Sequence, residues 1–192
     1  MLALLHGAAA WAGAVEVRVT GAGGAPLPGA VVFLEPVGAR PALPPPVPVD
    51  ITQVERRFDP AVTVVPVGTP VSFPNKDTVR HHVYSFSPAK RFEIKLYVGT
   101  PAQPVVFDQP GIVVLGCNIH DNMTGWVVVV DTPWRGQTDA RGQVAWPAVP
   151  AGRYRLRTWH PGLPPGDPPA QNELRVTDAP TQAAVALTGV RP

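Results

Sequence analysis

Short runs of valine and other apolar residues, broken by proline and glycine, recur along the whole chain. Near its start, Val15, Val17 and Val19 alternate with Glu16, Arg18 and Thr20. That period of two predicts a strand with one buried face. Residues 112–115 and 125–130 are instead continuously apolar and mostly β-branched, as strands buried on both faces are. Further strands are predicted near residues 30–35, 143–146, 152–159, 174–177 and 183–187. In the 152–159 segment Arg153, Arg155 and Arg157 alternate with Tyr154 and Leu156, which places the three cations on a solvated face. The chain holds 26 prolines and 18 glycines. Proline breaks helix interiors and central ladders, so the pattern predicts an all-β protein of short strands. No apolar run is long enough to span a bilayer.

The same pattern divides the chain. The proline-rich residues 40–48 read as an extended connector, and residues 131–133 mark a second boundary. The two strands of the first flank are marginal as an isolated pair. The second flank offers about four more, few for a closed sandwich. Together they predict one discontinuous β-sandwich, residues 15–49 with 132–192, with a second β-sandwich of residues 50–131 inserted between its second and third strands; two sequential units, with 15–49 as an N-terminal extension of the middle one, are the alternative. Residues 1–14 are apolar and end in Ala12-Gly13-Ala14, the pattern of a secretory leader, although no cationic segment opens them. Export to the periplasm or the extracellular space is the expectation.

Composition narrows the partners. Formal net charge is +2, and no basic block appears, so a nucleic-acid partner is not expected.

The candidate chemistry lies between the two most apolar strands. Cys117 is the only cysteine; His120 and Met123 follow it at intervals of three, and His81-His82 lies upstream. A lone cysteine is ordinarily a small buried hydrophobe, and a lone methionine is ordinarily core filler. Their joint occurrence in one loop between strands, with a second source of imidazole, points elsewhere. One thiolate, two imidazoles and a thioether form the donor set of a blue copper site. Soft sulfur suits reduced copper, and imidazole suits both oxidation states. The upstream imidazole is ambiguous. Alternation groups His81 with Val83 and Ser85, and His82 with Tyr84 and Phe86. The apolar face favours His82 as the ligand.

Residues 58–130 resemble the cupredoxins of the amicyanin and plastocyanin type, which are Greek-key β-sandwiches. The likeness runs through Val71-Ser72-Phe73-Pro74-Asn75-Lys76-Asp77, through His81-His82-Val83, and through Cys117-x-x-His120-x-x-Met123 with Gly125-x-Val127. In the family the copper histidine follows a loop asparagine by six residues, which here favours His81. The resemblance implies His81, Cys117 and His120 as equatorial ligands and Met123 as the axial one. It implies that Asn75 pins the ligand loop, and that the edge of His120 is the electron port. His82 stands where the family carries asparagine. The ligand loop is also more polar than usual, with Asn118, Asp121 and Asn122. The flanks resemble carboxypeptidase regulatory-like, transthyretin-type domains through Gly24-x-Pro26-Leu27-Pro28-Gly29-Ala30, Thr138-Asp139-x-x-Gly142 and Pro150-x-Gly152-x-Tyr154.

The expected function is an exported type 1 copper protein that passes single electrons between redox partners, a c-type cytochrome or a dehydrogenase among the candidates. A copper trafficking role, with the same ligands but no electron exchange, is the alternative. An enzyme is not expected. With His6 in the leader, only His82 and His160 would remain to build a second copper site, and no G-x-S-x-G, H-E-x-x-H or P-loop pattern occurs. His160, between Trp159 and Pro161, reads as a loop contact rather than a ligand.

Overall fold

A computed structural model of the chain describes residues 12–191. Residues 1–11, most of the expected leader, lie outside the described residues; Ala12–Ala14 open the first strand. Among the described residues the chain is all-β, with no α-helix. None is therefore long and apolar enough to cross a membrane.

The first strands are β1 (Ala12–Thr20), β2 (Val31–Pro36), β3 (Val49–Asp50), β4 (Thr52–Val54), β5 (Arg57–Asp59) and β6 (Val62–Pro66). Next come β7 (Thr69–Ser72), β8 (His81–Ser85), β9 (Phe92–Tyr97), β10 (Val105–Phe107), β11 (Gly111–Gly116) and β12 (Thr124–Val130). The last are β13 (Arg135–Gln137), β14 (Gln143–Pro150), β15 (Gly152–Trp159), β16 (Ala170–Val176) and β17 (Thr181–Ala186). The described chain divides into two compact units, one of residues 41–135 and one joining residues 12–40 to residues 136–191.

The discontinuous unit contains two sheets, ordered β14-β1-β17 and β13-β2-β15-β16. Val15, Val17 and Val19 are fully buried, while Arg18 between them is exposed. β1 and β2 lie in different sheets, and each pairs with strands of the C-terminal flank. Thr138 joins the flanks again: its Oγ1 accepts the Ala30 N–H at 2.9 Å and donates to the Leu27 carbonyl at 2.7 Å. On β15, Tyr154 and Leu156 are buried and Arg153 and Arg155 exposed. Arg157 bonds Glu35 at 3.1 Å.

The unit of residues 41–135 is a β-sandwich. One sheet is ordered β6-β12-β11-β8-β9, the other β10-β7-β3. Both contribute to one buried cluster that includes Phe58, Val65, Val71, Phe73, Val83, Phe107, Val113, Leu115 and Val127. β12 runs through the middle, antiparallel to β11 and parallel to β6. Its residues Val127–Val130 are all buried, which explains the unbroken apolar run. Each fully buried aliphatic or aromatic side chain there contributes about 1.5–3 kcal/mol. Cys117 and Met123 belong to the same cluster, so both ends of the candidate loop are fixed in the core.

Candidate metal centre

The upstream arm is built by hydrogen bonds. After β7 the backbone N–H of Asn75 donates to the Gly99 carbonyl at 2.8 Å. Its side-chain amide donates to the carbonyls of Val79 at 2.9 Å and Tyr97 at 3.0 Å. Its side-chain oxygen accepts the Asp77 N–H at 2.9 Å. One buried asparagine therefore closes the loop that precedes His81 and ties it to the end of β9. Tyr97 braces the same arm, donating to the Phe73 carbonyl at 2.6 Å and bonding the Gln53 amide. Burial pushes the Tyr97 hydroxyl up to about 12, so it keeps its proton and remains a donor.

The downstream arm is built by packing. β11 and β12 pair antiparallel from Gly111↔Val129 to Gly116↔Thr124, and residues 117–123 join them. Cys117 is 3 % exposed and Met123 2 %, while Asn118, Ile119, Asp121 and Asn122 are exposed. The Met123 N–H donates to the His120 carbonyl at 2.9 Å and turns the loop back to β12. Gly116 lies under the Tyr84 ring, where an added Cβ would come within 2.7 Å of a ring carbon. Gly125 likewise lies against Phe58, with 2.9 Å left for a Cβ.

The two arms bring three donor atoms together. Cys117 Sγ lies 4.0 Å from His81 Nδ1 and 3.7 Å from His120 Nδ1. All three atoms lie within 4.8 Å of one another. The two imidazole rings sit 5.0 Å apart, tilted by 59°. These separations fit a metal ion. Bonds of roughly 2.3 Å to sulfur and about 2.0 Å to nitrogen, spread at 120°, hold such donors about 3.7 Å apart. The set of one thiolate and two imidazoles suits copper, and the buried thioether of Met123 closes the same end of the core.

His82 is not among the converging donors. The buried face of β8 carries Val83 and Ser85 beside His81, whereas Tyr84 is half-buried and Phe86 is 76 % exposed. The aromatic residues thus mark the outer face, the reverse of the expectation that favoured His82. His82 Nε2 bonds Glu93 at 2.8 Å, and its ring lies 5.5 Å from that of Tyr84, tilted by 50°. It is buried all the same because the ladder is irregular there. One residue lies between His81 and Val83, while two lie between their partners Tyr97 and Ile94 on β9. Bulges of this kind re-aim side chains beside functional sites.

One residue near the donors escaped the sequence reading. The Asp77 carboxylate meets His81 Nε2 at 2.7 Å, on the opposite side of the ring from Cys117. Acids in polar loops usually face solvent, and although Asp77 closes the Val71–Asp77 stretch of the resemblance, that stretch gives it no role. His160 lies far along the chain in the discontinuous unit, where its Nδ1 accepts the Gly162 N–H at 3.0 Å and caps a turn.

No family model matches the chain, and no curated protein matches it. Solved structures resemble about half of it. A copper-containing nitrite reductase from Thermus scotoductus is 28% identical over 50% of this chain, with a TM-score of 0.41. The match spans 25% of that reductase's own length. A purple cupredoxin from Nitrosopumilus maritimus is 24% identical, over 42% of this chain and 96% of its own, with a TM-score of 0.37. An amicyanin from Paracoccus versutus is 16% identical, over 46% of this chain and 85% of its own, with the same TM-score of 0.37.

Proposed function

We propose that the chain is an exported type 1 copper protein that carries single electrons between redox partners and is not itself an enzyme. The observation that carries this reading is the convergence of His81 Nδ1, Cys117 Sγ and His120 Nδ1 within 4.8 Å at the end of a hydrophobic core. His81, Cys117 and His120 would hold the ion, with Met123 as the weak fourth donor. Copper bound there supplies a one-electron couple between its cupric and cuprous states.

The rest is the work of the chain. Cys117 presents sulfur from a core position with 3 % exposure, which excludes water from the donor side. The hydrogen-bonded arm around Asn75 holds His81 in one orientation, so a change of oxidation state meets a fixed donor set. His120 is the one of the four that is only half-buried, which makes its outer edge the exit toward a partner. A c-type cytochrome or a dehydrogenase would suit that role, and the apolar residues 2–14 favour secretion.

The test is to load the mature protein with Cu(II) and record its visible spectrum and voltammogram. One equivalent of copper, an intense thiolate-to-copper band and a reversible one-electron wave are expected. Copper uptake without a reversible wave would move the reading to trafficking or storage. A colourless protein indifferent to cupric ions would end it.

A further inference from the structure

The Asp77 carboxylate is held from two directions. One oxygen accepts the Glu55 N–H at 2.7 Å. The other accepts the Arg56 N–H at 2.9 Å and also faces His81 Nε2 at 2.7 Å. Glu55 and Arg56 form the two-residue turn between β4 and β5, closed by the pair Val54↔Arg57. Both have left-handed backbones, with φ of 52° and 57°. A turn of this shape is ordinarily filled by Asn-Gly or Asp-Gly, because a Cβ crowds the backbone there, glycine has none, and Asn and Asp offset the strain by local hydrogen bonds. Glutamate and arginine sit in it here, and both of its N–H groups point at one carboxylate. Strained backbone held in place by surrounding contacts clusters at functional sites.

We propose that the Glu55–Arg56 turn and Asp77 form a buttress that sets the tautomer of His81 and strengthens its Nδ1 as a metal donor. The inference rests on the copper reading for its effect on potential, and on the hydrogen bonds alone for the tautomer. An anionic acceptor at 2.7 Å draws the ring proton to Nε2 and leaves Nδ1, 4.0 Å from Cys117 Sγ, with a free lone pair. Carboxylate–histidine–metal chains orient the ring and raise ligand basicity in the same way. The carboxylate itself is stabilised as an anion. Two backbone N–H groups and the His81 ring converge on its oxygens. Asp77 is thus a positioning residue: it touches the ligand and not the metal. The more basic the imidazole, the more it favours the harder cupric ion, so the buttress lowers the reduction potential.

Two measurements decide the matter. In copper-free protein, long-range nitrogen–proton correlation should show His81 in the Nε2–H tautomer, with an Nδ1–H population appearing in Asp77→Asn. In copper-loaded protein, Asp77→Asn should weaken cupric binding roughly 10-fold more than cuprous binding, a rise in midpoint potential of about 59 mV. A wild-type His81 protonated at Nδ1 overturns the proposal with no variant needed. An unchanged potential in a folded Asp77→Asn protein also overturns it. Failure of the wild type to take up copper defeats the functional reading instead, and leaves the tautomer measurement to decide the buttress.

Discussion

The two arms of the candidate metal centre are made in opposite ways. The upstream arm is a web of hydrogen bonds, in which Asn75 reaches Val79, Tyr97, Gly99 and Asp77. The downstream arm has its two ends sunk in the core and its middle exposed. The first holds one donor, His81, through directional contacts at polar atoms. The second holds Cys117 and Met123 through exclusion of water, and His120 through the turn between them. The difference teaches that one site can draw its order from two sources. Polar contacts fix the angle of an imidazole, and packing fixes the place of sulfur.

The comparison is broken most severely at the sulfur. Cys117→Ser replaces the thiolate with a hydroxyl at a position 3 % exposed. Copper-loaded variant protein should lose the intense visible band entirely, because the band is a property of the thiolate–copper bond. A coloured variant would place the sulfur donor elsewhere.

Next in size is the contrast between adjacent histidines. His81→Ala should lower cupric affinity by more than the roughly 10–100-fold typical of losing an outer partner. His82→Ala should keep copper and colour, and cost stability of about 1 kcal/mol through its lost packing and its bond to Glu93. Titration with a competing chelator and thermal melts separate the two. Equal copper affinities would contradict the assignment.

The smallest and sharpest comparison sets Asn75→Ala against Met123→Leu. The first strips partners from buried carbonyls and should lower the unfolding free energy by about 1–3 kcal/mol, read by denaturant titration. The second conserves volume and should cost less than about 1.5 kcal/mol, yet it removes a donor that favours cupric copper and should raise the potential. A stability loss in Met123→Leu larger than in Asn75→Ala would reverse the division of labour between the arms.

Much of this is legible in the sequence. The unbroken runs at residues 112–115 and 125–130 mark β11 and β12, and the loop between them follows from their length. The resemblance to the cupredoxins, through the spacing from Asn75, points to His81, and the alternation of β1 and β15 shows directly which residues face inward. Alternation failed at β8 because a period of two separates two faces without saying which is inner. The choice of Tyr84 and Phe86 as the inner pair took aromatic mass for burial. The opposite sheet decides otherwise, and an irregularity in β9 buries His82 as well. Asp77 and the β4–β5 hairpin stayed hidden for another reason. Glu-Arg carries no turn signal, and the two backbone N–H groups that hold Asp77 lie 22 and 21 residues away along the chain.

Cys117 and Met123 act as two rivets through the same wall, and the span between them projects outward. Asn118, Ile119, Asp121 and Asn122 can therefore be rewritten without loosening either rivet. If the proposed function holds, the surface offered to a partner and the donors for the metal can evolve separately, within a stretch of seven residues.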